Sequence, residues 1–251
     1  MAGAELSPSS GRIKKVRRLA TRAFREETRE FLVEGPQAVR EAVNKKDCVI
    51  EIFATDGSEW PGATIVDQEV INTIATTVTP QGVVAHCKMI DVELDEALKS
   101  AKLVAVAHEV RDPGNAGTII RAADAAGADA VIFTADSVDP FNPKSVRSSV
   151  GSIFHLPIVV EPDFIKVVKS LQERGLQVVG TAADSAISIY SAEANLNAPT
   201  AWVFGNEAHG LPADLDLDNW FAIPIYGKAE SLNLATAAAL CLYASAQANN
   251  S

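Results

Sequence analysis

From residue 103 onward the chain is a succession of short, largely apolar runs, at 103–107, 130–133, 156–160, 176–180, 201–204 and 221–225, several of them followed by a helical pattern. Strands that are apolar on both faces must be covered on both faces, so these runs predict a parallel sheet between two helical layers. Upstream, shorter runs at 31–33, 49–54, 63–66 and 83–87 alternate with helical stretches at 37–44 and 69–75, the pattern of a compact α/β unit. Residues 13–24 place Ile13, Val16, Ala20 and Ala23 or Phe24 at helical spacing with basic residues between them, which predicts one amphipathic helix. The segment 91–102 is charged and helical in character. The expected fold class is therefore α/β, with a disordered start over 1–10, a small unit over 11–95, a linker over 96–102 and a parallel-sheet domain over 103–251.

Charge changes this picture in one place. The formal net charge is −10, which by itself argues against a polyanionic partner. Yet seven of the 22 basic residues, Arg12, Lys14, Lys15, Arg17, Arg18, Arg22 and Arg25, lie between residues 11 and 25, a stretch without a single acid. Such a basic arm on an acidic body can hold RNA locally; the plainer reading is a solvated helix face. Cys48, Cys87 and Cys241 lie far apart and form neither a disulfide framework nor a zinc pattern, so they read as reduced thiols. The four histidines are scattered, and no metal is expected. The N-terminus is short and polar, unlike a signal peptide, and no apolar run reaches the ~18 residues that span a bilayer. A soluble, cytoplasmic protein without a membrane partner is expected.

Candidate chemistry concentrates in three loops that follow strands. In 110–117, Asp112-Pro113-Gly114-Asn115-Ala116-Gly117 leads toward a helix expected over 118–126, whose Arg121 leans back toward the loop. A guanidinium there can hold a phosphate or a developing alkoxide, or simply pair with Asp124 three residues on. In 203–212, Asn206, Glu207 and His209 sit between Gly205 and Gly210, where backbone can approach a flat ligand; alternatively Glu207 caps local N–H groups. In 223–234, Ser231 or Asn233 can cap the alanine-rich helix that follows to about residue 248. Ligands of parallel α/β sheets lie at the carboxyl ends of strands, so the three loops together favour one composite site.

These residues resemble the SpoU family of RNA ribose 2′-O-methyltransferases, within the SPOUT superfamily. The run from Asp112 to Gly117 and on through Arg121-Ala122-Ala123 is similar to the family's first motif. Gly205-Asn206-Glu207 to Gly210-Leu211 is similar to its second, and Ile223-Pro224 with Ser231-Leu232-Asn233 to its third. Phe31-Leu32-Val33-Glu34-Gly35 resembles a ribosomal-protein-like substrate-binding domain that often precedes it. The resemblance implies a deep trefoil knot, against the general expectation of unknotted chains. It also implies a homodimer whose subunits complete each other's site, and S-adenosylmethionine bound near Thr181, Gly205, Asn206, Ile223 and Leu232. The implied catalytic set is Asn115, Arg121, Glu207, Ser231 and Asn233. The charge density of the first helix, not the resemblance, makes Arg12, Lys14, Lys15, Arg17, Arg18 and Arg22 the expected RNA contacts. Ribosomal RNA of the large subunit is the first expected substrate and transfer RNA the second. The alternatives are a catalytically silent RNA-binding protein and a nucleotide-binding phosphotransfer enzyme. Against the latter, the sequence lacks a phosphate-cradling lysine motif.

Overall fold

The computed structural model describes residues 6–212 and 214–250, which fall into two compact units, 6–90 with 141–154 and 91–140 with 155–250. The first unit begins with α1 (Gly11–Arg17), α2 (Arg22–Thr28), β1 (Glu30–Glu34), α3 (Pro36–Asn44), β2 (Val49–Ala54), β3 (Thr64–Ile65), α4 (Gln68–Ile74) and β4 (Val83–Lys88). The second opens with α5 (Leu94–Ala97), β5 (Leu103–His108), α6 (Pro113–Ala125) and β6 (Ala130–Thr134). The chain then returns to the first unit for α7 (Pro143–Ser149). It completes the second with β7 (Ile158–Val160), α8 (Phe164–Glu173), β8 (Gln177–Thr181), β9 (Thr200–Phe204), β10 (Asn219–Phe221) and α9 (Leu234–Asn249).

In the first unit the strand order is β1-β4-β2-β3, antiparallel except for the β2–β3 pair. The helix expected over 13–24 is two helices. Thr21 is extended (φ −96°, ψ 138°) between a 3-10 turn and α2. The buried set is Ile13, Val16, Leu19 and Phe24: of the alternatives Ala23 and Phe24 it is Phe24 that is buried, and Leu19 takes the place of Ala20. A straight helix could not aim both Leu19 and Phe24 at the same core with Leu32, Phe53 and Ile71. The break also buries Arg25, whose guanidinium donates to the Leu19 carbonyl at 2.8 Å. Of the ten residues read as a disordered start, 1–5 lie outside the described residues, and 6–10 form a turn that ends in Ser10, the N-cap of α1.

α7 belongs here because its flanks carry two large apolar side chains. Phe141 and Phe154 lie 5.0 and 6.2 Å from Phe31, ring centroid to ring centroid. Gly151, next to Ser152, has φ +95°, and a Cβ on it would come within 2.6 Å of Glu41 Cγ on α3.

The second unit is a six-stranded, all-parallel sheet in the order β10-β8-β9-β5-β6-β7. Val104, Val106, Ile132 and Val203 pack one face against Leu98, Val167 and Leu171 around α5 and α8. Alternation turns Trp202 to the other face, where its indole N–H donates to Ser245 of α9 at 2.9 Å. Three expected elements shift. The segment 91–102 is helical only over α5. α6 starts at Pro113 rather than 118, because Asp112 is an N-cap whose side chain accepts from Asn115 N, with proline at the first helical position. The run 221–225 is a strand only at its start; beyond Phe221 the chain leaves the sheet, and Ala222 forms an isolated bridge with Ser188, outside the strands. No helix among the described residues is long and apolar enough to cross a membrane.

Gly151→Ala should destabilise the first unit by roughly 1–3 kcal/mol, since both the positive φ and the Glu41 side chain oppose a Cβ. A urea midpoint equal to that of the unaltered protein would contradict this account of how α7 is held.

Candidate active site

All three loops lie at the carboxyl ends of strands: the first after β5, the second after β9 and the third after β10. The first is shaped by buried groups. Glu109 adopts φ 54°, and the buried Ser137 hydroxyl accepts from Val110 N and donates to the Ala107 carbonyl, each at 3.1 Å. Ser137 was not among the sequence candidates. It lies beyond β6 in sequence, and only the fold brings it under the loop. α6 then presents Asn115 in its first turn.

The second loop is closed on itself and fastened to the first. Asn206 and Gly210 exchange backbone hydrogen bonds at 3.1 and 2.8 Å. A Cβ on Gly205 would stand 2.5 Å from the Gly210 carbonyl oxygen, so this turn requires glycine there. Asn206 Nδ2 donates to the Glu109 carbonyl at 3.1 Å. Glu207 reaches across: Oε2 accepts from Arg111 N at 3.1 Å, and Oε1 accepts from Asp112 N at 2.9 Å and from Asn115 Nδ2 at 3.0 Å. Burial pushes the Glu207 carboxyl up, but the hydrogen bonds from Asn115, Asp112 and Arg111 outweigh it, and the group rests below its ordinary value.

The third loop joins through Asn233. Its Nδ2 donates to Asn115 Oδ1 at 3.1 Å, while its Oδ1 accepts from Ala235 N and Thr236 N and so caps α9. Between the alternatives Ser231 and Asn233, the N-cap is Asn233. The Ser231 hydroxyl takes no hydrogen bond among the described residues and lines a cavity of about 340 Å³, along with Thr181, Asn206, Glu207, Ile223 and Leu232. Four of the five expected cofactor residues therefore meet in one cavity, and Gly205 adjoins it through Asn206. Glu230 also lines it. That carboxylate stands in the third loop, between Ala229 and Ser231, and its own residue type carries no signal that sets it apart from a solvated acid.

Arg121 is not part of the cavity lining. It is exposed on α6 without a hydrogen-bond or ion-pair partner among the described residues, and Asp124, the competing partner, bonds His155 at 2.8 Å instead. His108 is a core histidine, buried beneath the Phe164 ring and bonded to Thr134. Among the described residues, no cluster of three or more His, Cys, Asp or Glu could hold a metal. In the first unit most of the basic run is internally engaged. Arg12 pairs with Glu51, Lys15 lies 3.8 Å from Glu30, Arg22 bonds Glu26 at 2.7 Å, and Arg18 stacks on Phe24 at 3.9 Å. Lys14 and Arg17 are exposed and make no such contact among the described residues.

Residues 102–243 match the SpoU rRNA Methylase family, and residues 11–85 match the MRM3-like substrate binding domain. The chain is 36% identical over 248 residues to the 23S rRNA (guanosine(2553)-2′-O)-methyltransferase RlmP of Bacillus subtilis, covering 94% of this chain and 96% of that protein. Among solved structures it is similar to the AdoMet-bound rRNA methyltransferase from Sinorhizobium meliloti, with TM-score 0.83 and 30% identity over 96% of each chain. It is also similar to the SpoU methyltransferase AviRb from Streptomyces viridochromogenes in complex with AdoMet, with TM-score 0.84 and 29% identity over 95% of this chain and 98% of that one.

The brace through Glu207 is testable by pH. A carboxyl held low in the folded state contributes stability that is complete above its unfolded value, about 4.3, and is lost as pH falls through the lower folded value. The difference in urea midpoint between the unaltered protein and Glu207→Gln should therefore shrink between about pH 6 and about pH 3. A difference that stays constant over that range would exclude an ionised brace.

Proposed function

Because the chain belongs to the SpoU rRNA Methylase family, we propose that it transfers a methyl group from S-adenosylmethionine to a ribose 2′-hydroxyl of 23S rRNA. The observation that carries this reading is the hydrogen-bonded node Glu207–Asn115–Asn233, which ties the three loops together beside one cavity. The cavity suits the donor: its volume falls in the range of small-ligand sites, roughly 300–1,000 Å³, and it mixes apolar Ile223, Leu232 and Leu234 with polar Thr181, Asn206 and Ser231. When bound, S-adenosylmethionine supplies an electrophilic methyl on a sulfonium.

The chain's own residues then have to position the ribose and manage its charge. Arg121 holds a phosphate of the target strand and stabilises the emerging alkoxide; a guanidinium stays protonated near neutral pH and is no general base. The proton leaves through phosphate or water. Asn115 orients the acceptor side, Asn233 keeps Asn115 in place, Ser231 shapes the cavity wall, and Glu207 holds the second loop against the first. Since Arg121 does not line the cavity of its own chain, a site completed by a second copy accounts for its position. A homodimer is supported by a face along α9, where hollows of about 750 and 610 Å³ share the exposed Tyr190 with Ala244 and Gln247. The trefoil knot belongs to the same proposal: the 206–210 loop and the 223–232 segment wall one cavity, as an interlocked pair would. A ribosomal RNA substrate puts the reaction in the cytoplasm.

Labelled methyl transfer to unmodified 23S rRNA, followed by nucleoside analysis, should yield one 2′-O-methylated nucleoside. Labelling of bulk tRNA instead would move the substrate, and transfer to neither would overturn the reading. Arg121→Ala should lower kcat by about 10²–10³-fold with donor affinity unchanged; full turnover would remove Arg121 from the mechanism. Ala244→Arg should yield a monomer in sedimentation and abolish transfer, whereas an active monomer would contradict the shared site.

A further inference from the structure

We infer that the cavity beside Arg17 is a subsite for one unstacked nucleotide of the RNA, with its phosphate on Arg17 and its base edge against the end of α4. The inference rests on the RNA substrate proposed above and assigns one position in the first unit where that RNA is gripped.

The argument begins with which cations are free. Arg12, Lys15 and Arg22 each face a carboxylate, Arg18 covers an aromatic ring, and Arg25 is buried on a carbonyl. Of the seven basic residues, only Lys14 and Arg17 are exposed without a hydrogen-bond, ion-pair or ring partner among the described residues. Arg17 in turn lines a cavity of about 360 Å³ formed with Ala20, Asn72, Thr73, Ala75 and Thr76. That volume is at the small-ligand end of binding sites. No acidic side chain among the described residues lines it.

Acceptors and donors both remain available in its wall. A helix leaves its last carbonyls without intrahelical partners, and the next N–H groups of the chain commonly satisfy them. Here Glu34 takes those N–H groups, accepting from Thr76 N at 2.8 Å and Thr77 N at 3.2 Å, as well as from the Thr76 hydroxyl at 2.6 Å. The carbonyls of Asn72 and Thr73 are therefore deprived of those donors. Asn72 Oδ1 is taken by Gln68 at 2.9 Å, which leaves the Asn72 amide N–H groups for an acceptor. The charge of Glu34 is offset by Arg147, 3.6 Å away, whose Nη1 also donates to the Thr76 hydroxyl at 3.2 Å. An anionic group beside Arg17 thus meets no uncompensated carboxylate. A nucleotide combines what this wall asks for: a phosphate for the free guanidinium, and a base edge with N–H donors and acceptors for the end of α4.

The test measures binding of the full-length protein to a fluorescent, unmodified 23S rRNA transcript across salt concentrations. Arg17→Gln should weaken binding about tenfold and flatten the dependence of log Kd on log salt by about 0.7. Lys46→Gln, which removes an exposed charge elsewhere in the unit, should leave both unchanged. Ala20→Phe fills the cavity without altering charge, and should also weaken binding while keeping the thermal midpoint and donor affinity. Weakening by Arg17→Gln alone would mean a surface charge rather than a subsite and would overturn the inference, as would unaltered binding by both variants. If the unaltered protein bound no rRNA, the functional reading and the inference would fall together; methyl transfer that persists with both variants binding normally would remove the inference only.

Discussion

One carboxylate organises the candidate site. Glu207 accepts from two backbone N–H groups at the start of α6 and from the Asn115 amide, so the loop after β9 cannot shift without freeing three donors of the loop after β5. Asn115 spends its amide N–H on Glu207 and its carbonyl oxygen on Asn233, and Asn233 spends its own oxygen on the N-terminus of α9. Each group is used in the one role its geometry permits, and a network of this kind holds its members more tightly than isolated pairs would. The cavity walls inherit their positions from it.

The parallel sheet makes this possible because it brings the ends of three strands to one edge. β5 and β9 are hydrogen-bonded neighbours, so the first two loops start a strand spacing apart. β10 pairs with β8 at the sheet margin and is only three residues long, and its early end releases Ile223 and the following segment to cross back toward the second loop. Close packing under that return is enforced by glycine: a Cβ on Gly180 would lie within 3.0 Å of Leu211, Leu217 and Trp220.

In the first unit the physical theme is charge accounting. A basic stretch with no acid in it folds so that most of its cations meet acids from β1, β2 and α2 or lie on aromatic rings. Exposed ion pairs add little stability, but they remove charge that a polyanion would otherwise see. What a linear count reads as a seven-residue patch is reduced, among the described residues, to two unengaged side chains, Lys14 and Arg17. The segment 141–154 shows the same limit of linear reading. It lies within the residues that match the methylase family, yet it packs on β1 of the first unit through Phe141, Phe154 and Arg147.

The sequence by itself determined the strands of the sheet, because runs such as 103–107 and 130–133 are apolar on both faces and no other environment suits them. It also determined the three polar loops, whose residue types are costly anywhere except at strand ends and helix starts. Asp112-Pro113 even carried the true start of α6, an N-cap residue followed by proline at the first helical position. Tertiary structure alone decided which of those residues meet. Glu207 and Asn115 are 92 positions apart and Asn115 and Asn233 are 118 apart, separations at which residue spacing carries no information about distance. It also decided which cations are free, since the carboxylates that neutralise Arg12 and Lys15 arrive from strands folded beside α1. Local pattern sets what each segment can be, and only the closing of long loops sets what each side chain touches.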